Sequence, residues 1–387
     1  MEDHLKGEIM ENLSFNAKLA LDTIYKKPAK GIPNWVIHPM EHSIIDYLAG
    51  KEPGTYEKFP RETYLEMQKK IGTCMIDQYI PENPLSMGKK GYEKKLDTPT
   101  TGKKEIEYDG IKIDSPEAVV EHLEKVVFPK RKHDIETWSD DFIPVIAEKI
   151  INAEKEIQNE FGPDILKVPY GVASFPGFAY GTYGYEYYFM AYALYPDVIE
   201  KSFKLAADYH QLYNKAVAYA YKKGKLPPLL RLDHDMADSK GTLVNIKTLD
   251  KMWFPHFERA IKPIRDEITL IWHCDGNLME MVPRLIECGI KGFQGFQYEF
   301  GMDYEKICKM KTKDGDSLFI IAGVSVTQTL PHGSPEDVKK EMKWLVENGP
   351  KTGLFLGCSS SMPPGVPLEN ILALVEGFKY YREHGRS

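Results

Sequence analysis

Ile271-Trp272-His273-Cys274-Asp275-Gly276-Asn277 decides the reading of this chain, together with Leu356-Gly357-Cys358 further along. Each stretch ends a short apolar run, where a buried strand stops and a loop begins. Similar runs recur at Asn34–His38, Thr73–Tyr79, Ile165–Ala173, Leu229–Asp233, Gly292–Gln297, Leu318–Val324 and Gly353–Gly357. With Thr269–His273 they make eight candidate strands alternating with amphipathic helices, the pattern of a (β/α)8 barrel. The chain of 387 residues, 42% hydrophobic, suits one such α/β barrel with an N-terminal helical extension.

The helices carry readable boundaries. Ser334-Pro335-Glu336-Asp337 predicts a cap, a first-turn proline and acids at the positive helix end; Val338, Met342, Leu345 and Val346 then share an apolar face up to Asn348-Gly349. A last helix opens at Pro367 and buries Ile371, Leu374, Val375 and Phe378. Residues 85–133 break the pattern and read as an insertion, with an Asp109-Gly110 hairpin and a helix capped at Ser115.

A formal net charge of −7 lacks the basic footprint of a nucleic-acid binder, and no apolar stretch approaches a membrane span. A small molecule or a protein partner is expected instead. Five cysteines without a CxxC pair, and no apolar leader at the N-terminus, point to a reduced cytoplasmic protein.

Barrel active sites sit at the C-terminal strand ends, so the polar residues there are the candidates. In an extended backbone His273 and Asp275 point the same way, and Cys358 ends the last strand. One imidazole, one carboxylate and one thiolate form the ligand set of a catalytic zinc site with an open position. Cys274 replaces Asp275 as ligand if the strand bulges, and Glu299 is a candidate fourth ligand or a nearby base. Asp233 and Asp235 are expected to contact substrate or pass a proton. Trp35, His38, Glu41 and His42 stand at the first strand end, and Phe178, Tyr180 and Tyr183 follow another as a stacking wall for an aryl ring. The alternative for these aromatics is simple core packing.

The succession His273-Cys-Asp-Gly-Asn277, Glu287-Cys-Gly-Ile-Lys-Gly-Phe293, Glu299-Phe-Gly-Met-Asp303, Leu330-Pro-His-Gly-Ser-Pro-Glu336 and Pro367-Leu-Glu-Asn-Ile371 resembles the uroporphyrinogen decarboxylase superfamily over the C-terminal half. Asp233-His-Asp235 and Lys240-Gly241 extend the likeness upstream. The metal-free decarboxylases of that superfamily carry an Arg-rich signature after the first strand, whereas this chain reads Met40-Glu41-His42-Ser43-Ile44. A substrate rich in carboxylates wants cations, which that place lacks.

The resemblance to the zinc-dependent corrinoid methyltransferases is carried by His273 and Cys358; Asp275 stands where that branch has its first Cys. It implies an enzyme moving a methyl group from a small methylated donor to the reduced cobalt of a separate corrinoid (cobalamin) protein, and a homodimer is compatible with it. A carboxylate in place of a thiolate hardens the ion and favours an oxygen-bearing donor, so O-demethylation of a methoxylated aromatic is the expected reaction. The alternatives are a metal-free carboxy-lyase and methyl transfer from the corrinoid to a thiol such as coenzyme M.

Overall fold

The computed structural model describes residues 12–82 and 106–386. The protein is a mixed α/β fold centred on parallel strands. Strands β1 (Met75–Ile76) and β4 (Leu166–Lys167) pair in parallel, and β2 (Glu107–Tyr108) and β3 (Ile111–Lys112) form a hairpin. Strands β5 (Leu229–Asp233), β6 (Thr269–His273), β7 (Gly292–Gln294), β8 (Phe319–Val324) and β9 (Leu354–Cys358) lie side by side in that order, all parallel. Isolated parallel bridges join Asn34 to Leu356, Trp35 to Met75 and Tyr170 to Arg231. The expected strands β5 and β6 have the bounds read from the sequence. Their apolar residues are buried on both faces, as in a parallel sheet covered by helices.

The regular pairing is shorter than expected in four places: Thr73–Tyr79 keeps only β1, and the other three have a local reason. Pro169 has no N–H to give a ladder and Gly171 has φ +69°, so the run 165–173 keeps only β4 and the bridge at Tyr170. Pro33 and Pro39 bracket the first run, which is held by the bridges at Asn34 and Trp35. Strand β7 stops at Gln294 because Gly295 turns with φ +85°; a Cβ there would lie 2.6 Å from His273 Nδ1. Only glycine lets that turn approach the imidazole.

Helices cover the sheet. Pro335–Asn348 begins at a capping box, with Ser334 Oγ accepting from Asp337 N at 3.3 Å and Asp337 Oδ2 accepting from Ser334 N at 3.0 Å. Val338, Met342, Leu345 and Val346 are its buried face, and Ile371, Leu374 and Phe378 that of Leu368–His384. Part of the expected insertion, residues 85–105, lies outside the described residues. Beyond it, Asp109 and Gly110 both have positive φ, 52° and 77°, as a two-residue hairpin turn of the I′ type needs. Ser115 caps the helix Pro116–His122 by accepting from Ala118 N. His122 then receives or donates at both ring nitrogens, to Tyr183 Oη at 2.9 Å and Asp109 Oδ2 at 3.0 Å, which fastens the hairpin to the aromatic segment. Among the described residues no helix is long and apolar enough to cross a membrane.

The sheet leaves no room for a side chain at Gly323, where β8 meets β9. A Cβ on Gly323 would stand 2.2 Å from Ser359 N and 2.3 Å from the Cys358 carbonyl carbon, both backbone atoms that cannot swing aside. Gly323→Ala is therefore expected to lower stability by roughly 1–3 kcal/mol through overpacking. Urea unfolding reads this directly, and an unchanged midpoint would contradict the close approach.

Candidate active site

A cavity of about 590 Å³ opens at the C-terminal ends of the strands. Its floor is built on Arg231, a cation in the middle of the apolar run Leu229-Leu230-Arg231-Leu232 and 4% exposed. A buried guanidinium needs compensating partners, and three of its five N–H groups have them here. Nε donates to Asp77 Oδ2 at 2.7 Å, Nη1 to Asp233 Oδ2 at 2.7 Å and Nη2 to Gln78 Oε1 at 3.1 Å. The flat group also lies over two rings, 5.1 Å from the Trp35 centroid and 4.5 Å from that of Tyr170. Trp35 Nε1 donates to Asp77 Oδ1 at 2.8 Å, and Tyr170 Oη to Asp233 Oδ2 at 2.9 Å.

These contacts set the charges of the floor. Burial by itself would raise the carboxyl of Asp77, but the charge and hydrogen bond of Arg231 hold it below the usual carboxylate range. Asp233 is likewise held low against burial, by the charges of His273 and Arg231 and the Tyr170 hydroxyl. His38 accepts or donates at Nδ1 to Tyr64 Oη at 2.8 Å, and burial lowers it to about 4 despite the attraction of Asp77. Its ring is thus neutral at ordinary pH.

The mouth is polar and incompletely satisfied. His273 Nε2 and Asp275 Oδ1 are 3.9 Å apart, and Ser360 Oγ donates to Asp275 Oδ2 at 3.1 Å. Gln297 Oε1 accepts from Gly276 N at 2.6 Å, while Gln294 Nε2 reaches Ser359 O at 3.3 Å. Four buried atoms around this space have no hydrogen-bond partner: His38 Nε2, His273 Nδ1, Asp275 Oδ1 and Gln294 Oε1. Buried polar atoms are rarely left so, and a cluster of them at one cavity is the mark of a place where a polar ligand binds.

The sequence-derived candidates divide clearly. Trp35, His38, Asp233, His273 and Asp275 line the cavity. Asp235 stands just behind, its Oδ1 accepting from Asp275 N at 3.0 Å, and burial raises its carboxyl above the ordinary value. Glu299 acts through a neighbour, accepting from Ser325 Oγ at 3.0 Å and from Thr327 Oγ1, which does line the space. Glu41 and His42 lie outside the lining. Glu41 accepts from Ser43 Oγ and Gly365 N, and His42 meets Glu57 and the Tyr56 ring. Phe178, Tyr180 and Tyr183 also lie outside it: Phe178 and Tyr180 pack around His234, and Tyr183 stacks on Tyr188.

Cys358 is not part of the mouth. Gly357 is directed at Trp35, so the alternation of a strand sends the next side chain to the opposite face. There burial and the charge of Glu341, on the covering helix, push its thiol up to about 12. Cys274 is held by backbone, accepting from Met236 N at 3.3 Å and donating to Asp275 O at 2.9 Å. Among the described residues no group of three or more His, Cys, Asp and Glu side chains is assembled to hold a metal ion. The donors present therefore do not fit the expected zinc shell of His273, Asp275 and Cys358: two stand together and the third faces away.

Residues not singled out from the sequence complete the site: Gln78, Tyr170, Arg231 and Gln294. Arg231 and Asp77 had a signal, a charge inside an apolar run rather than at its end.

Acid should destabilise the fold in two stages. His38, His210 and His234 are all lowered by burial to about 4, so between the unfolded value near 6.5 and about 4 the unfolded chain binds more protons and stability falls as pH falls. Asp77 and Asp233, held low, contribute stability that is complete above their unfolded value near 4 and is lost as pH drops through their lower folded values. Urea midpoints from pH 7 to 4 are expected to decline steadily, with a shallower slope in His38→Gln. An equal slope in that variant would contradict a neutral buried His38.

Comparison with known proteins adds four findings. A structure described as a methyltransferase from Methanosarcina mazei shares the fold, with a TM-score of 0.55 and 16% identity over 95% of this chain and 98% of that one. A Listeria monocytogenes protein described as a vitamin-B12-independent methionine synthase is more distant, with a TM-score of 0.42 and 14% identity over 92% of this chain and 97% of that one. No curated protein matches the sequence. The family model for uroporphyrinogen decarboxylase (URO-D) matches residues 234–381, the part that contributes β6 to β9 with His273 and Asp275. Residues 234–381 of this chain are thus similar to the uroporphyrinogen decarboxylase family.

Proposed function

We propose that this protein is an enzyme that removes the methyl group of a small methoxylated aromatic compound and passes it to the reduced cobalt of a separate corrinoid protein. The observation that carries the reading is the cavity mouth, where an imidazole is gathered with carboxylates and unpartnered hydrogen-bonding atoms beside two aromatic rings. The shared fold with a methyltransferase supports it, and so do the bridges that tie the first strand segment to both β1 and β9, which we take as closing a (β/α)8 barrel. In such a barrel this mouth is where chemistry occurs.

The corrinoid's reduced cobalt supplies the nucleophile that accepts the methyl group. The rest falls to this chain. The carbon–oxygen bond of the ether breaks, and its electron pair stays on a phenolate oxygen whose conjugate acid has a pKa near 10, so protonation eases its departure. His273 is the residue suited to give that proton, with Asp275 Oδ1 3.9 Å from its Nε2 and Gly295 allowing the close packing that fixes the ring. Asp233 stays ionised beside Arg231 at the same mouth. No step is routed through zinc, because His273 and Asp275 offer two ligands and Cys358 does not join them.

The decarboxylase alternative is disfavoured by charge, since Arg231 is the cavity's one Lys or Arg among its lining residues and is already engaged on three sides. The test is a spectral assay of reduced cobalamin, or a corrinoid protein, with methoxylated aromatics, methylamines and methyl thioethers. Methylation of cobalt by the ethers alone is the expected result. His273→Ala is expected to cost about 100-fold or more in rate, the usual scale of general acid catalysis, and Cys358→Ala to leave the rate near wild type. Loss of transfer in Cys358→Ala, with loss of bound zinc, would overturn the proton-donor account, and no transfer from any ether would overturn the function.

A further inference from the structure

Two loops at the cavity mouth meet through sulfur. The loop after β6, residues 274–281, carries Asp275, and the loop after β7, residues 295–303, carries Gln297; both side chains line the cavity. Gly276 N donates to Gln297 Oε1 from one loop to the other at 2.6 Å. Outside the lining the same loops exchange a matched pair of contacts: Leu278 N donates to Met302 Sδ at 3.1 Å, and Asp303 N donates to Met279 Sδ at 3.3 Å. Each thioether thus takes the amide of the residue next to the other methionine. There is no slack around them. Asn277 Oδ1 accepts from Met279 N at 3.2 Å, and a Cβ on Gly301 would lie 2.7 Å from Asn277 Nδ2.

A thioether is a weak acceptor, and a backbone N–H between two loops is ordinarily given an oxygen. Sulfur brings what a carbonyl oxygen lacks, since it can be oxidised reversibly. The two sulfurs differ in access. Met302 is 3% exposed and its contact with Leu278 is buried, whereas Met279 is half-buried and its contact with Asp303 faces solvent. A small oxidant therefore reaches Met279 first.

We propose that Met279 is a site of modification by peroxide, and that its oxidation to the sulfoxide releases the loop after β7 from the loop after β6. A sulfur lone pair attacks one peroxide oxygen and the O–O bond breaks. The departing hydroxide takes the proton of the transferred oxygen and leaves as water, so sulfur is oxidised by the two electrons that reduce the peroxide. A polar S–O group then stands in a side chain packed against the core, beside an amide fitted to bare sulfur. Reduction by a methionine sulfoxide reductase restores the thioether. Nothing in this depends on which reaction the mouth catalyses.

Hydrogen peroxide titrated onto the full chain, followed by peptide mass spectrometry and amide hydrogen exchange, tests the site. Met279 is expected to convert to the sulfoxide at lower doses than Met302. Exchange over residues 298–303 is expected to rise at least about fivefold once Met279 is converted, the scale of one lost hydrogen bond. In Met279→Leu peroxide is expected to cause no such rise, while Met190→Leu, which removes a methionine 42% exposed on the helix Tyr185–Leu194, is expected to respond as wild type does. If Met279→Leu does not fold, the wild-type and Met190→Leu titrations decide. Conversion of Met302 as early as Met279, unchanged exchange over residues 298–303 after full conversion of Met279, or an undiminished response in Met279→Leu would each overturn the inference.

Discussion

The buried guanidinium of Arg231 is the constraint on which the cavity depends. A cation in the centre of a strand must be compensated where it stands, because removing a charge from water costs several kcal/mol even after relaxation. Compensation comes from three places in the chain: Asp77 and Gln78 after β1, Tyr170 after β4, and Asp233 at the end of β5 itself. The same network therefore aligns segments that regular pairing holds only over two residues each, at β1 and β4. Where hydrogen-bonded ladder is short, ionic and aromatic contacts on one guanidinium supply the register.

Electrostatics at the mouth follow from the floor. Asp77 and Arg231 neutralise each other, so Asp233 and Asp275 face the open space with His273 between acids rather than beside a free cation. Such a setting suits a proton donor or a hydrogen-bonding neutral ligand and works against anions. Gly295 is the backbone feature that makes it fit: the turn after β7 passes so near His273 Nδ1 that a side chain there would displace the ring. Imidazole position, strand length and glycine are one solution to one steric problem.

Much of this was legible in the sequence, and the exceptions have physical causes. Strands β5 and β6 could be bounded because unbroken apolar runs ending in polar residues are what a sheet buried on both faces requires. The run 165–173 looked longer than β4 because composition does not register the N–H missing at Pro169. At the site, same-face spacing correctly groups His273 with Asp275, and the same rule carries Cys358 away, since the residue before it faces Trp35. Arg231 and Asp77 went unread because attention to strand ends passes over charges within strands. The aromatic segment around Phe178 and Tyr180 has the composition of a ligand wall, but its rings find each other and His234 first.

Arg231 and Asp77 form an internally compensated pair that shapes the cavity. A double-mutant cycle with Arg231→Gln and Asp77→Asn, followed by urea unfolding, measures that coupling most directly. Arg231→Gln leaves the buried Asp77 carboxylate without its cation and Asp77→Asn leaves Arg231 with Asp233 alone, so the double variant is expected to be less destabilised than the sum of the singles, by about 1.5–3 kcal/mol. Additivity within about 0.5 kcal/mol would contradict the account.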